Sequence, residues 1–235
     1  MTQQVLDAAH GRRAMVKGGV VLAGALVVPG AVGAAQRLTL QATPAVAAGA
    51  PLAPAPFPAR PVTSPKVVRP ELMRRALAAL DRHAGRIAQR DRIAIADFTA
   101  PSAQARFHLV DLVSGSSRSF LVAHGSGSDP RHTGWLHRFS NENGSNASSE
   151  GAFTTSDYYV GKHGRSQRLI GLDPTNDNAM ARAIVVHAAW YANPDLIRTR
   201  GMLGRSQGCF AVAEADLDEV FRRLGTGRMI FAAKA

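Results

Sequence analysis

Cys209 is the only cysteine among 235 residues. It stands in Ser206-Gln207-Gly208-Cys209, inside "LGRSQGCFAVAEADL" (203–217). A lone thiol cannot close a disulfide within its own chain. It is either a small buried apolar group or a reactive one. A cysteine nucleophile needs a partner to take its proton, backbone N–H groups aimed at the developing oxyanion, and access. Gly208 offers a side-chain-free approach, and the N–H groups of Gly208 and Cys209 can converge on one oxygen. The base must come from elsewhere. Of eight histidines, His187 ends the apolar run "AIVVH", 22 residues before Cys209. A strand end would hold its ring rigidly. A single histidine in such a place is more often a core residue bonded to backbone, but beside a lone thiol the base reading is favoured. His163, in "GKHGRS", is the next candidate, while His124, His132 and His137 read as less constrained loop residues. There is no HExxH or CxxC to hold a metal and no GxSxG to carry a serine nucleophile. No metal and no cofactor is expected.

The elements that would position these groups come from periodicity. "PELMRRALAALDRH" places Pro70 at a helix start and Leu72, Met73, Leu77 and Leu80 at helical spacing. "RIAIADF" alternates as a strand does. "RFHLVDLV" and "SRSFLVAH" flank "SGS", which predicts a hairpin turning at Gly115. "RAIVVHAA" reads as a short buried strand and "RMIFAAKA" as a closing one. "AEADLDEVFRRL" has acidic residues early and arginines late, as a helix dipole favours. Residues 124–168 read as a long polar stretch rich in Gly, Ser, Asn and His, of the kind that often carries function. The pattern predicts a mainly β (α+β) domain with a few helices, without the regular strand–helix alternation of a doubly wound sheet.

Net charge is +11, so anionic partners are expected, either a polyanionic envelope or nucleic acid. Arg12, Arg13 and Lys17 precede "VVLAGALVVPGAVGAA", an apolar run broken by Gly24, Pro29 and Gly30. That describes an export signal over 1–35, possibly of the twin-arginine type, and the run is short for a membrane span. A signal left uncleaved would be the only membrane attachment. Residues 36–68, "ATPAVAAGAPLAPAPFPARPVTSP" at their centre, read as an Ala/Pro-rich tether. The folded domain is expected over 69–235. Export argues against nucleic acid as a partner, as does the lack of aromatics between the arginines. It places the thiol in an oxidising compartment, periplasm or cell envelope.

"HAAWY" followed by "LGRSQGCFAV" resembles the bacterial L,D-transpeptidase catalytic-domain family. The likeness extends to "AHGSGS" (123–128), "FSNENGSNASSEGAF" (139–153) and "GKHGRSQRLIGLDPTNDNAMARAIVVHAAWY" (161–191). The resemblance implies a β-sandwich-like fold that acts on peptidoglycan stem peptides. It makes Cys209 the nucleophile and His187 the base, with Ser206 and Gly208 shaping the hole around the thiol. A thioester with a stem tetrapeptide would pass to an amine acceptor. With water as acceptor the same site would be an L,D-carboxypeptidase, and a basic wall-binding module without catalysis is the third reading. His163, Asn141 and Trp190, from the matching stretches, are expected to contact substrate. Many relatives carry an arginine two residues after the cysteine; here Phe210 and Ala211 follow. Arg205 is the candidate to hold a substrate carboxylate instead.

Overall fold

The structure is a computed structural model that describes residues 67–235. The expected export signal and all but the last two residues of the expected tether lie outside the described residues. The first helix, α1 (Pro70–Arg82), begins at a proline whose missing N–H costs a helix nothing at that position. It buries Leu72, Met73, Ala76, Ala79 and Leu80. Val68, at the edge of the expected tether, is already packed in the same cluster.

Nine strands form one sheet: β1 (Arg92–Asp97), β2 (Phe107–Asp111), β3 (Ser117–Phe120), β4 (Val122–Ala123), β5 (Gly151–Gly161), β6 (Gly164–Gly171), β7 (Val185–Ala188), β8 (Phe210–Val212) and β9 (Met229–Ala233). Their order is β3-β2-β1-β9-β5-β6-β7-β8-β4. The two end strands are consecutive in sequence, with only Leu121 between them. One continuous segment therefore pairs with β2 through its first half and with β8 through its second. The sheet must fold back on itself to allow this. Phe107 on β2 and Phe210 on β8 are six strands apart in the order, about 29 Å if the sheet were flat. Their ring centroids are 6.2 Å apart. The result is the expected mainly β, sandwich-like domain, closed around a core that every strand enters.

One helix covers part of the outer face and another closes on the central core. α1 packs on Ile93, Ile95, Val110, Met229 and Phe231, the outward residues of β1, β2 and β9. Two short helices, α2 (Pro194–Arg200) and α3 (Leu217–Leu224), follow β7 and β8. α3 sends Leu217, Val220, Phe221 and Leu224 into the central core. Glu219 in its first turn and Arg223 in its last suit the dipole.

The sequence reading needs one correction here. The polar stretch 124–168 is a loop only as far as Glu150; beyond it β5 and β6 form the longest hairpin of the sheet. Thr154, Thr155, Tyr158, Tyr159 and Val160 carry strand propensity. Ser156, Asp157 and the basic tip "GKHGR" mask it, because this end of the hairpin projects into solvent.

Candidate active site

β7 and β8 run parallel, with Val186 opposite Phe210 and His187 opposite Ala211. Val186 and Phe210 point into the core, so alternation sends His187 and Ala211 to the other face. Cys209 enters β8 from its N-terminal side, at the level of Val185. Its Sγ donates to the Ala183 carbonyl at 3.5 Å, and the Val185 N–H points back at the sulfur. One strand over and two residues back places Cys209 and His187 with Cα atoms roughly 8 Å apart on one face of the sheet.

His187 is 1% exposed. Its Nδ1 donates to the Ala188 carbonyl at 2.8 Å. That bond selects the tautomer: the proton sits on Nδ1 and the Nε2 lone pair is left to accept another. Burial pushes the imidazole pKa down, the Ala188 bond partly offsets this, and His163 and Lys162 push it down further. Burial pushes the Cys209 thiol up, against the opposing pull of the Val185 N–H, Lys162 and Arg182. Both shifts favour the neutral forms, a thiol beside an imidazole rather than a thiolate–imidazolium pair.

The motif around the thiol is held by Ser206. Its Oγ donates to the Cys209 carbonyl at 2.8 Å and accepts the Gly208 N–H at 3.1 Å. The Gly208 N–H is thus engaged within the motif rather than aimed at a substrate oxygen as the sequence suggested. Gly208 has another reason to be glycine. Its φ is +115°, and a Cβ there would meet the Ala147 carbonyl oxygen and Ile184 Cδ1, each at 2.7 Å. Protein, rather than an open path for substrate, fills that side.

The other expected residues separate. His163 stands at the β5–β6 turn and stacks on His187, ring centroids 4.4 Å apart and 20° from parallel. Trp190 is 63% exposed at the rim, edge-on to Tyr191. Tyr191 feels the thiol more directly: burial and then the Cys209 charge push its phenol up to about 12. Arg205 turns away, donating to the carbonyls of Asp129 and Pro130. Asn141 spends both ends of its amide on the facing loop, donating to Pro174 O and Asp177 and accepting from the Asn178 N–H. These bonds tie two loops together and leave neither side chain turned to the thiol.

Two groups escaped the sequence reading. Arg182 lies beside the thiol and donates to Ser140 O at 2.7 Å and to Ser149 Oγ at 2.6 Å, as well as to Ala147 O. His124, expected to be a loop residue, is 1% exposed. Arg106 Nη2 donates to its Nδ1 at 2.7 Å, and its Nε2 faces Asp129 at 3.4 Å. Its own carbonyl accepts the Ser206 N–H at 2.9 Å. Burial, then the Arg106 charge, push its pKa down to about 3. Among the described residues, no three His, Cys, Asp or Glu side chains gather closely enough to hold a metal ion.

The site thus offers a thiol and, on the neighbouring strand, an imidazole whose Nε2 is free to accept a proton. The comparisons name the family. Residues 64–233 match the model described as L,D-transpeptidase catalytic domain, and the chain belongs to that family. Among solved structures it is similar to an L,D-transpeptidase from Mycobacterium smegmatis: 13% identity, TM-score 0.36, covering 61% of this chain and 58% of that one. A second, from Stackebrandtia nassauensis, has 13% identity and TM-score 0.37, covering 63% and 57%. A third, from Xylanimonas cellulosilytica, has 15% identity and TM-score 0.35, covering 67% and 68%. The chain spans under two thirds of the length of the first two. A search of curated proteins returns no match.

Proposed function

We propose that this chain is a cysteine-dependent L,D-transpeptidase of peptidoglycan, with Cys209 as nucleophile and His187 as general base. The observation that carries the reading is the His187 Nδ1–H bond to Ala188 O, which leaves Nε2 unprotonated on β7, the strand paired with the one that Cys209 enters. The first bond-making step is coupled to proton transfer, because both groups rest neutral. His187 Nε2 takes the thiol proton as Sγ attacks the carbonyl carbon of the third stem residue. The C–N bond then breaks, imidazolium protonates the departing amine, and terminal D-Ala leaves. The product is a thioester on Cys209. A side-chain amine of a second stem attacks it, gives its proton to His187, and forms the new amide as the thiol is restored. Ser206 holds the Gly208–Cys209 backbone in place throughout. An exported location, periplasm or cell envelope, goes with this substrate and is supported by the basic–apolar pattern of residues 12–34.

The test is incubation of the protein with disaccharide-tetrapeptides, read by mass spectrometry. Cross-linked dimers that disappear with Cys209→Ala are the expected result. Tripeptides without dimers would assign water as the acceptor. No product from a protein whose thiol still reacts would overturn the murein reading.

A further inference from the structure

A cavity of about 270 Å³ is lined by Asn143, Gly144, Asn146, Ala181, Arg182 and Gln207. Its only charged wall is Arg182. Three of that guanidinium's five donors are bound to Ser140, Ala147 and Ser149, which fixes the plane of the group and leaves two donors. Its acceptors are neutral, and among the described residues no acidic side chain pairs with it. A half-buried cation without a counter-charge is costly unless an anion arrives. The remaining wall consists of three side-chain amides, which can donate hydrogen bonds, and of Gly144 and Ala181, which leave room. Gln207 joins this cavity to the nucleophile two residues on, and a Cβ on the intervening Gly208 would lie 3.0 Å from Arg182 Nη2.

We propose that this cavity is the site for the α-carboxylate of the residue that the reaction releases, with Arg182 as its specificity-determining group. The assignment rests on the functional reading above. That carboxylate is separated from the scissile carbonyl by one amide nitrogen and one Cα, so a stem held at Arg182 by its carboxylate has its scissile carbonyl only two atoms further along, to be met by Sγ. A planar guanidinium held on one edge presents its other edge to a carboxylate. The site thereby selects stems that end one residue beyond the attacked bond, and disfavours longer chains and uncharged ends.

The experiment compares two donors, the tetrapeptide stem as free acid and the same stem as its C-terminal amide. The readout is the ratio of kcat/KM, acid over amide. The wild-type protein is expected to favour the acid by about tenfold or more, as one charge-assisted contact provides. Arg182→Gln is expected to bring the ratio close to one, with Arg182→Lys between the two. Because Arg182 also ties three loop positions together, Asn143→Asp supplies an independent variant. Asn143 is an exposed residue of the cavity wall, and a carboxylate there competes for the guanidinium and should lower the ratio as well. A wild-type ratio near one, or a ratio unchanged in both Arg182→Gln and Asn143→Asp, overturns the proposal and leaves the transpeptidase reading standing. If wild-type protein processes neither donor, the functional reading itself falls.

Discussion

Replacing His187 with Gln tests whether the thiol rests as a thiol. Glutamine keeps a donor for the Ala188 carbonyl but has no titratable base. An ordinary thiol at the reference value of 9.0 is about 1% ionised at pH 7, and burial holds Cys209 below even that. Alkylation by iodoacetamide should therefore climb about tenfold per pH unit from pH 6 to pH 8, with no shoulder at low pH. His187→Gln should leave that slope as it is, since nothing in the resting pair depends on an imidazolium. Acylation by a stem tetrapeptide should behave differently. There His187 removes the proton during attack, and its loss should cost about 10²–10⁴-fold, or roughly 3–5 kcal/mol of barrier. The sign of the pH dependence follows from the same shifts. A histidine pKa lowered from 6.5 stays unprotonated further into acid, so kcat/KM should persist below pH 6.5 before it falls. Stopped-flow acylation and alkylation on both proteins across pH 5–9 provide the measurement. A wild-type alkylation plateau between pH 5 and 7 that vanishes in His187→Gln would show a preformed ion pair and refute the reasoning.

Gly208→Ala meets two contacts at 2.7 Å with φ at +115°. Strain and overpacking together should remove about 2–4 kcal/mol, seen as a fall in Tm of roughly 5–15 °C; an unchanged Tm would contradict the crowding. Ser206→Ala leaves the buried Gly208 N–H without its acceptor, a loss of about 1–3 kcal/mol. Its kcat should fall with KM nearly constant, because the serine holds the nucleophile rather than the substrate. His124 has its folded pKa pushed down to about 3 from 6.5, so the unfolded chain binds the extra proton. Stability should fall as pH drops from 6.5 toward 3, and His124→Gln should flatten that slope in denaturant titrations. Asn141→Ala should cost stability through the loosened 174–178 loop while KM for stem donors stays within about twofold, since its amide is spent on the protein.

Elements whose apolar residues face one neighbour were legible in advance. α1 buries Leu72, Met73 and Leu80 of the residues that its period selects and half-buries Leu77, and β2–β3 turns at Gly115, whose φ is 74°. β5–β6 was hidden because the distal half of β5 is largely exposed and the buried residues of β6 opposite it, Ser166 and Gln167, are polar, so the hairpin carries no hydrophobic alternation there. The closure at Leu121 was invisible for another reason. "SRSFLVAH" is one extended segment in sequence, and only its two different partners, β2 and β8, show that the sheet has come full circle.

The site divides along the same line. Cys209 and His187 could be put forward from sequence because one is the only cysteine and the other ends an apolar run, and Ser206 because it lies in a compact motif whose hydrogen bonds stay within it. Arg182 is one of many arginines, and its character comes wholly from what surrounds it: three neutral acceptors, no carboxylate, and the thiol. His124 is likewise defined by the charges of Arg106 and Asp129, which the sheet brings to it from other strands and loops. Arg205 and Asn141 fail in the opposite direction. Each has the right chemistry and the right neighbourhood in sequence, yet Arg205 spends its donors on main-chain carbonyls and Asn141 on the Pro174 carbonyl and the Asp177 carboxylate. A polar side chain near a nucleophile in sequence is available to substrate only after the backbone around it has been satisfied. In this domain the irregular loops 124–150 and 171–184 make the larger claim on such groups. Arg182, which meets that claim and still has donors left, is the residue through which loop packing and substrate choice are joined.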